Sequence, residues 1–415
     1  MLKTDRPKMT HEQAAVWLAT YGSPLFYLDE AGFKDRAQLL LYSACKAGLD
    51  ADFFYSYKTN SLTALCELAF DAGFGAEVVS SSELKHAIHL GLPSDRIIFN
   101  GPYKPLDALV LAIQKGILIH ADSIQELLEI SRQATILGMP ARVGVRLQFD
   151  FGMASWSKFG VDPIELYDYL ESYNLPDNLD LCGAHIHVGT NITELGIFQH
   201  AIRQLLQAVN TLESKFSQQM QYIDVGGGLA AGGAVPLDVL PGEWLLPHPE
   251  QYFEIIAEEI HREGGSSRKV IFEPGRLLVA SCMHLICKIV GVKEIRGRKL
   301  VITDGNINHI PSAYYLKHQV LGLVEGQRHV KADLFGPLCT QFDCLGLDIE
   351  LPDPHLGDPL LICDVGAYCL TFSNQFAFPR PAVIMVSDSG PPQVVRMREQ
   401  EDHFWYHDIS PGSGR

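Results

Sequence analysis

The middle of the chain alternates between short apolar runs and amphipathic stretches. Each run is short enough for one buried strand, and the stretches between the runs have helical spacing. The runs are ADFFYSY (51–57), AEVVS (76–80), RIIFN (96–100), ILIHA (117–121), RVGVRL (142–147), GAHIHVG (183–189), YIDVGGG (222–228) and KVIFEPG (269–275). Eight strand–helix repeats over about 225 residues predict a (β/α)8 TIM barrel. The alternative, an open doubly wound sheet, would place its glycine-rich turn after the first strand, whereas the glycines here come late.

Two of the connecting stretches carry helix boundaries. In SSSELKHAIHLGLP, serines can cap the start, and the glycine and proline at the end stop the helix. In DSIQELLEISRQATILGMP, apolar residues recur at helical spacing and the same stop signals follow. Both stretches therefore predict the helices that a barrel needs between its strands.

After Arg276 the pattern changes to β-rich segments. HLICKIVGVKEI, GRKLVITDG, PLLICDVGAY and PAVIMVS are separated by glycine and proline. We predict a barrel domain over residues 28–277 and a β-domain, sandwich-like or barrel-like, formed by residues 1–27 and 278–415. The early strand SPLFYLD (23–29) either joins the barrel or leads in from the β-domain.

Composition narrows the possible functions. The 415 residues are 47% hydrophobic and carry a formal net charge of −16, so a general nucleic-acid or membrane-surface binder is not expected. The chain has no apolar run of about 18 residues, and its N-terminus has no apolar signal segment. The nine cysteines lack zinc-site spacing. We expect a cytoplasmic protein without a membrane span.

A lysine and two glycine-containing turns fall where predicted barrel strands end. Lys58 closes the first strand, residues 226–228 (GGG) close the seventh, and residues 273–276 (EPGR) close the eighth. Barrel active sites lie at these carboxyl ends, and phosphate groups often bind after strands seven and eight. Glycine N–H groups and an arginine can hold a phosphate. Lys58 is either a snorkelling strand-end lysine or, if it is buried, a nucleophilic amine for a carbonyl cofactor.

Two histidines lie on one face of the sixth strand, because His185 and His187 are two residues apart. Each is a hydrogen-bonded core residue, one of a pair of metal ligands, or an imidazole that lies flat on a planar cofactor. No carboxylate or further histidine cluster accompanies them in the sequence, so we expect no metal.

Eight motifs occur along the chain in the order of a known enzyme family. They are FYSYKTN, GAEVVSSSEL, SKFGV, HIHVGT, DVGGGL, EPGR, GPLC and DVGAY. The series resembles the alanine-racemase-fold (fold-type III) decarboxylases that use pyridoxal 5'-phosphate (PLP), a group that includes diaminopimelate, ornithine and arginine decarboxylases. The resemblance covers nearly the whole chain. It implies PLP as the cofactor and a head-to-tail homodimer with shared active sites.

The resemblance also implies roles for single residues. Lys58 would bond to the PLP aldehyde, His187 would stack on the ring, and Glu273 would pair with the pyridine nitrogen. The residues that would bind phosphate are Gly226, Gly227, Gly228, Gly275, Arg276 and Tyr368. Two further residues match positions behind the cofactor or near its phosphate, namely Glu77 and Thr190. Cys339 would be the catalytic cysteine, contributed across the dimer; without the resemblance it would be interpreted as a buried structural thiol.

Glu273 favours one reaction within this fold. A carboxylate beside the pyridine nitrogen keeps that nitrogen protonated and makes PLP a deep electron sink, which loss of CO2 from Cα requires. Racemases that resemble this layout place an arginine there. We therefore predict decarboxylation, with Cys339 or Lys58 as the acid that protonates Cα.

The expected substrate residues depart from the diaminopimelate decarboxylase pattern. Those enzymes have CES at the cysteine, where this chain has Thr340 in place of the glutamate. They also have Arg-Pro-x-x-Tyr, where this chain has Pro311 in the arginine position and keeps only Tyr315. Losing a buried counter-charge costs ~2–5 kcal/mol. GPLCT without the acid resembles the decarboxylases of specialised biosynthesis instead. This resemblance implies, as the main expectation, a siderophore-type intermediate such as a citryl-diaminopropionate, or a carrier-bound glutamyl group.

Other interpretations stay open. The alternative is a diaminopimelate decarboxylase of lysine biosynthesis or another basic amino-acid decarboxylase. A PLP-binding homologue without turnover, a racemase and a metal-dependent barrel hydrolase also remain. We expect Asp343, Asn374 and Arg380 to line the substrate end of the pocket, with Thr340 and Tyr315.

Overall fold

Eight short parallel strands close into a barrel in the computed structural model, which describes residues 9–150, 158–239, 245–264, 268–326 and 328–409. The first ten strands along the chain are β1 (Leu25–Asp29), β2 (Ala51–Ser56), β3 (Gly75–Val78), β4 (Ile97–Phe99), β5 (Leu118–Ala121), β6 (Ala141–Arg146), β7 (Leu179–His185), β8 (Tyr222–Asp224), β9 (Val235–Pro236) and β10 (Lys269–Phe272). The barrel contains β2 to β8 and β10, and β10 closes it by pairing with both β8 and β2. The predicted (β/α)8 barrel is confirmed.

Helices connect the barrel strands and cover the outside of the barrel, except that the first helix of the chain, His11–Tyr21, packs against the sheet domain that follows the barrel. They are α1 (His11–Tyr21), α2 (Glu30–Lys46), α3 (Thr63–Asp71), α4 (Ser81–His89), α5 (Leu106–Lys115), α6 (Ile124–Leu137), α7 (Pro163–Tyr173), α8 (Leu195–Phe216), α9 (Pro249–Arg262) and α10 (Arg276–Val279). Ser80 and Ser123 cap α4 and α6, since each side chain accepts a hydrogen bond from the third backbone N–H along. Gly138 ends α6 in the left-handed conformation. Both predicted helices are confirmed.

A second sheet follows the barrel in sequence. The strands after the barrel are β11 (Met283–Ile295), β12 (Arg298–Thr303), β13 (Leu316–Lys317), β14 (Val320–Gly322), β15 (His329–Phe335), β16 (Cys344–Pro352), β17 (Pro359–Ile362), β18 (Ala382–Val386) and β19 (Gln393–Arg396). All of them except the short β13 belong to this second sheet. The main order is β16-β15-β12-β11-β1-β18-β19, while β17 joins β11 to β14, and β13 pairs only with β9. Strand β1 therefore belongs to this sheet, which resolves the open assignment of SPLFYLD.

Apolar side chains from the strands and helices fill most of the interior. Phe53 on β2 stacks on Phe272 of β10, with ring centroids 5.3 Å apart, and both rings contact Phe253 of α9. Truncation of such a buried ring costs about 3–5 kcal/mol, so this cluster holds the ends of two barrel strands together. Among the described residues, no helix combines the length and the apolar character needed to cross a membrane.

Candidate active site

A cavity of about 440 Å³ opens at the carboxyl ends of the barrel strands. The predicted site residues that line it are Lys58, Glu77, His185, His187, Thr190, Glu273, Arg276, Tyr315 and Tyr368. A narrower cavity adjoins it through shared lining residues and includes Gly227, Gly228 and Gly275. The structure thus brings together residues that are far apart in the sequence: Lys58 and Tyr368 are separated by 310 positions.

Lys58 lies in one turn of 3-10 helix, Tyr57–Thr59, directly after β2. Its Nζ atom is 2.5 Å from Oε2 of Glu77, and 34% of its side chain is exposed in the cavity. Burial lowers the pKa of the ammonium, but the carboxylates of Glu77 and Glu273 outweigh burial and leave the pKa above its usual value of 10.5. In this state Lys58 is a charged amine, contrary to the expectation that burial would remove its charge.

Glu77 links the lysine to the rest of the site. It is fully buried and accepts hydrogen bonds from Lys58, from the Ser56 hydroxyl and from Asn100 Nδ2, the last at 3.1 Å. The Nδ2 group of Asn100 also donates to Glu273 Oε1 at 2.6 Å. One amide therefore bridges two buried carboxylates, which a buried acidic pair requires if it is to keep fixed positions.

Glu273 follows β10 and is nearly inaccessible to solvent. Burial, and then the like charge of Glu77, raise the pKa of Glu273 to about 7, while Lys58 opposes this shift. Its Oε2 atom lies 3.5 Å from Nε2 of His185. A carboxyl group with this pKa is ionised when a cation such as a protonated ring nitrogen comes next to it.

The two histidines have different surroundings although they are two residues apart. Strand β7 ends at His185, so His187 lies in the following loop and not on the strand face. The Nδ1 atom of His187 accepts a hydrogen bond from the Gly227 N–H at 3.2 Å, and burial, followed by Arg146, lowers the pKa of His187 well below 6.5. His187 is therefore a neutral imidazole at the cavity wall, and His185 packs inside the barrel against His120 with ring centroids 4.9 Å apart.

The glycines after β8 and β10 leave room that a side chain would fill. A Cβ atom at Gly227 would lie 2.6 Å from the Glu273 carbonyl oxygen, and one at Gly228 would lie 2.8 Å from that of Gly189. Gly228 also has φ +91°, which other residues rarely adopt. The buried Nε of Arg276 has no hydrogen-bond partner among the described residues. The half-buried backbone of Gly228 and Gly275, and a guanidinium with a free donor, fit a phosphate group.

Tyr368 lies beside Arg276 in the cavity wall, whereas Gly226 lies outside both cavities. The Tyr368 ring packs 5.0 Å from the Arg276 guanidinium, and its hydroxyl lies 3.5 Å from Thr59 Oγ1. Gly226, by contrast, donates its N–H to Asp224 Oδ1 at 2.8 Å and lines neither cavity. Gly226 therefore shapes the turn in the structure, and its contact with a phosphate stays a prediction.

The residues expected at the substrate end are only partly at the cavity. Tyr315 lines it, whereas Cys339 is exposed, Thr340 is partly exposed, and neither lines the cavity of its own chain. Pro311 begins a short 3-10 helix, Pro311–Tyr314, next to Tyr315. The cysteine is not the buried structural thiol that it would be without the family resemblance.

Three polar residues are elsewhere, because their polar groups already have partners. Asp343 is buried and accepts the backbone N–H groups of Ile307 and Leu338, each at 2.8 Å. Arg380 donates to Glu399 at 3.0 Å and to the Ser373 carbonyl at 2.8 Å. Asn374 bonds to Asn308 at 3.1 Å. The expectation that Asp343, Asn374 and Arg380 line the pocket is corrected for the single chain.

Sequence interpretation also missed residues that line the cavity. They are Asn100, Arg146, Lys158, Phe159 and Phe372, among others. Arg146 ends β6, packs its guanidinium 4.4 Å from the Phe159 ring and lies 3.7 Å from Asp122. Its position at the end of a barrel strand was a usable signal, and SKFGV marked the loop that supplies Phe159.

These features define a class of protein: a barrel enzyme whose lysine can bond to a carbonyl cofactor and whose glycines and arginine can take the phosphate of that cofactor. Residues 37–280 match the family described as pyridoxal-dependent decarboxylase, pyridoxal binding domain. The chain belongs to this family. It is a PLP-dependent carboxy-lyase that acts on an amino acid.

Similar proteins share nearly the full length of the chain. It is 29% identical to the diaminopimelate decarboxylase of Aquifex aeolicus, covering 93% of this chain and 91% of the relative. It is 28% identical to that of Bacillus subtilis, covering 94% and 92%. The structure is similar to M. jannaschii diaminopimelate decarboxylase in complex with L-lysine, with a TM-score of 0.89, 26% identity and coverage of 96% and 94%. These relatives favour the diaminopimelate alternative and do not support the siderophore-type expectation.

Proposed function

We propose that the chain decarboxylates diaminopimelate, or an amino acid of the same shape with an amino and a carboxyl group at each end. The observation that carries this proposal is the full-length similarity to diaminopimelate decarboxylases, and a cavity that brings the predicted PLP residues together supports it. The siderophore-type substrate lost its support when the relatives proved to be enzymes of this specificity.

PLP, when bound, supplies an electron sink for the negative charge that CO2 leaves on Cα. The chain supplies the surroundings. Lys58 provides the amine for the aldehyde, with Glu77 as its counter-charge. Glu273 provides a buried carboxylate for the ring nitrogen, and His187 a neutral ring for stacking. Because Lys58 carries a proton when it is not bonded to the cofactor, it can also return a proton to Cα.

We propose that two chains form a homodimer that completes each active site. Cys339 is exposed and lines no cavity of its own chain. Phe342, three residues after Cys339, is 73% exposed, and Phe372, which lines the cavity, is 59% exposed. Aromatic residues are enriched at interfaces between chains. A partner chain that covers this surface can bring its Cys339 and Thr340 to the cavity.

One observation favours a second candidate. Thr340 and Pro311 stand where the diaminopimelate decarboxylase pattern has a glutamate and an arginine. A site without these two charges binds the distal amine and carboxylate of diaminopimelate less tightly. The second candidate is a larger, carboxylate-bearing amino-acid conjugate whose distal end makes other contacts.

The test is CO2 release from meso-diaminopimelate by the PLP-loaded protein. Release that requires Lys58 supports the proposal; Lys58→Ala should lose the absorbance of lysine-bound PLP and at least about a thousandfold in turnover. The matched control is Lys269→Ala, since Lys269 also lies at a barrel strand but pairs with Asp52 outside the site cavities. No release from protein that has normal cofactor absorbance would overturn the substrate proposal and favour the second candidate.

A further inference from the structure

A cluster of buried polar groups lies inside the barrel, next to Glu273 on the side away from Lys58's strand. It contains His120 of β5, His185 of β7, and Asp224 and Tyr222 of β8, all at most 5% exposed. The Tyr222 hydroxyl is 2.7 Å from Nε2 of His120. His120 Nδ1, both ring nitrogens of His185 and Asp224 Oδ2 have no hydrogen-bond partner among the described residues. Buried polar atoms without partners are rare and call for a physical explanation.

The carboxyl groups of Asp224 and Glu273 are the central pair of this cluster. One oxygen of each lies within 4.8 Å of the other and of a nitrogen from each histidine. Asp224 Oδ1 accepts the Gly226 N–H, but no donor reaches Oδ2. Burial, and then the like charge of Glu273, raise the pKa of Asp224 well above its usual value of 3.8, which favours one shared proton in the pair.

The surroundings decide which carboxyl group holds the proton. Glu273 accepts a hydrogen bond from Asn100 at 2.6 Å and lies in the field of the Lys58 ammonium, so its negative charge is stabilised. The Oδ2 atom of Asp224 has no such donor. Nδ1 of His120 lies 3.9 Å from it, but burial, Lys104 and Arg146 lower the pKa of this histidine to about 3. The other ionisable groups that face the pair are Glu77, Arg146, His185 and Tyr222.

A shared metal ion is the competing explanation, since the four residues offer two imidazoles and two carboxylates. An ion lies in the plane of every imidazole that it binds. The rings of His120 and His185 are instead stacked, with centroids 4.9 Å apart and planes 22° from parallel. Two stacked rings have no common in-plane point close to both, so a proton explains the pair better than a metal.

We propose that Asp224 is a positioning residue that stays protonated and donates its hydrogen bond to Glu273, so that the two carboxyl groups together hold one negative charge, on Glu273. Asp224 then fixes the orientation of the carboxylate that faces the cofactor ring, while its other oxygen holds the glycine turn through Gly226. This inference depends on PLP as the cofactor and is independent of the substrate proposed above.

The test compares Asp224→Asn with Asp224→Leu. Asparagine reproduces a protonated aspartate: its oxygen can accept the Gly226 N–H and its NH2 group can donate to Glu273. Leucine has a similar size but neither function. We expect the Kd for PLP to rise by no more than about threefold in Asp224→Asn, relative to wild type. In Asp224→Leu we expect it to rise by at least about tenfold.

An infrared measurement observes the proton directly. At pH 9, above the pKa of about 7 of Glu83, Asp364 and Glu273, the wild-type protein should still show the carbonyl stretch of a protonated carboxylic acid, and this band should be absent in Asp224→Asn. The control is Glu259→Gln, because Glu259 is fully buried but paired with Arg203 and Arg262, and its replacement should leave the band unchanged. A band that persists in Asp224→Asn and disappears in Glu273→Gln would overturn the proposal, as would PLP loss from Asp224→Asn of tenfold or more. Both outcomes can be read even if Asp224→Leu does not fold.

Discussion

The two halves of the active site are built differently. The half that meets the cofactor is complete in one chain: a network runs from Lys58 through Glu77 and Asn100 to Glu273, with every link between 2.5 and 3.1 Å. The half expected to meet the substrate lies on loops of the second sheet domain, where Cys339 is exposed and Asp343 is used to hold its own loop. In our proposal, the barrel provides most of the cofactor chemistry, and substrate choice is left to loops and to a second chain.

The cofactor half should lose the most when it is broken. Glu273→Ala removes the carboxylate that keeps the ring nitrogen protonated, so we expect turnover to fall by about a thousandfold while PLP remains bound through Lys58. Turnover and the absorbance of bound PLP would be measured on the same preparation. Near-normal turnover with bound PLP would mean that Glu273 does not set the electron demand of the cofactor.

The substrate half should show a smaller effect that depends on pairing between chains. Cys339→Ala removes a proposed proton donor, and we expect about a hundredfold loss of turnover. Inactive Lys58→Ala chains mixed with Cys339→Ala chains should then regain about a quarter of wild-type turnover, because half of the dimers are mixed and each has one intact site. Mixed chains that exchange freely and regain nothing would contradict shared active sites.

The cofactor half could be predicted from sequence better than the substrate half, because the first lies at the ends of barrel strands and the second lies on loops. Lys58, Glu273 and the glycines occupy the ends of predicted strands, and a barrel brings all such ends to one face. Asn100 was missed because the sequence does not show which strand-end side chains reach one another across the barrel. Asp343 and Arg380 do not line the cavity of their own chain, and the sequence does not show this, because a polar residue in a loop serves a pocket or its own backbone and only the contacts distinguish the two uses.

The cofactor half should also reduce the stability of the fold, because its charges are buried for function. The pKa of Glu273 is about 7 in the folded apoprotein against about 4.5 when unfolded, so the folded state binds this proton more tightly. The proton on Glu273 therefore contributes to the free energy of unfolding below pH 4.5, and this contribution is lost as the pH rises through 7. Glu273→Gln should therefore be about 1–3 kcal/mol more stable than wild type at pH 8, with the difference shrinking towards pH 5.

Denaturant unfolding of the apoproteins at both pH values measures this difference. Glu259→Gln is the matched control with the opposite expected sign, because it leaves Arg203 and Arg262 without their buried partner. Equal stability of wild type and Glu273→Gln at pH 8 would show that the buried carboxylate is not under strain.

The smallest expected effect concerns substrate choice. Thr340→Glu restores the acid that the diaminopimelate decarboxylase pattern has after the cysteine, and a carboxylate there can attract the distal ammonium of diaminopimelate. We expect KM for meso-diaminopimelate to fall by about tenfold, with Thr340→Gln as the uncharged control of the same size. A rise in KM for the Glu variant alone would mean that a negative group of the substrate lies beside Thr340. Such a rise would mean that the distal carboxylate of diaminopimelate, and not its ammonium, lies beside Thr340. The cofactor half of the site would be unchanged in either case, so one substitution separates the two halves of the comparison.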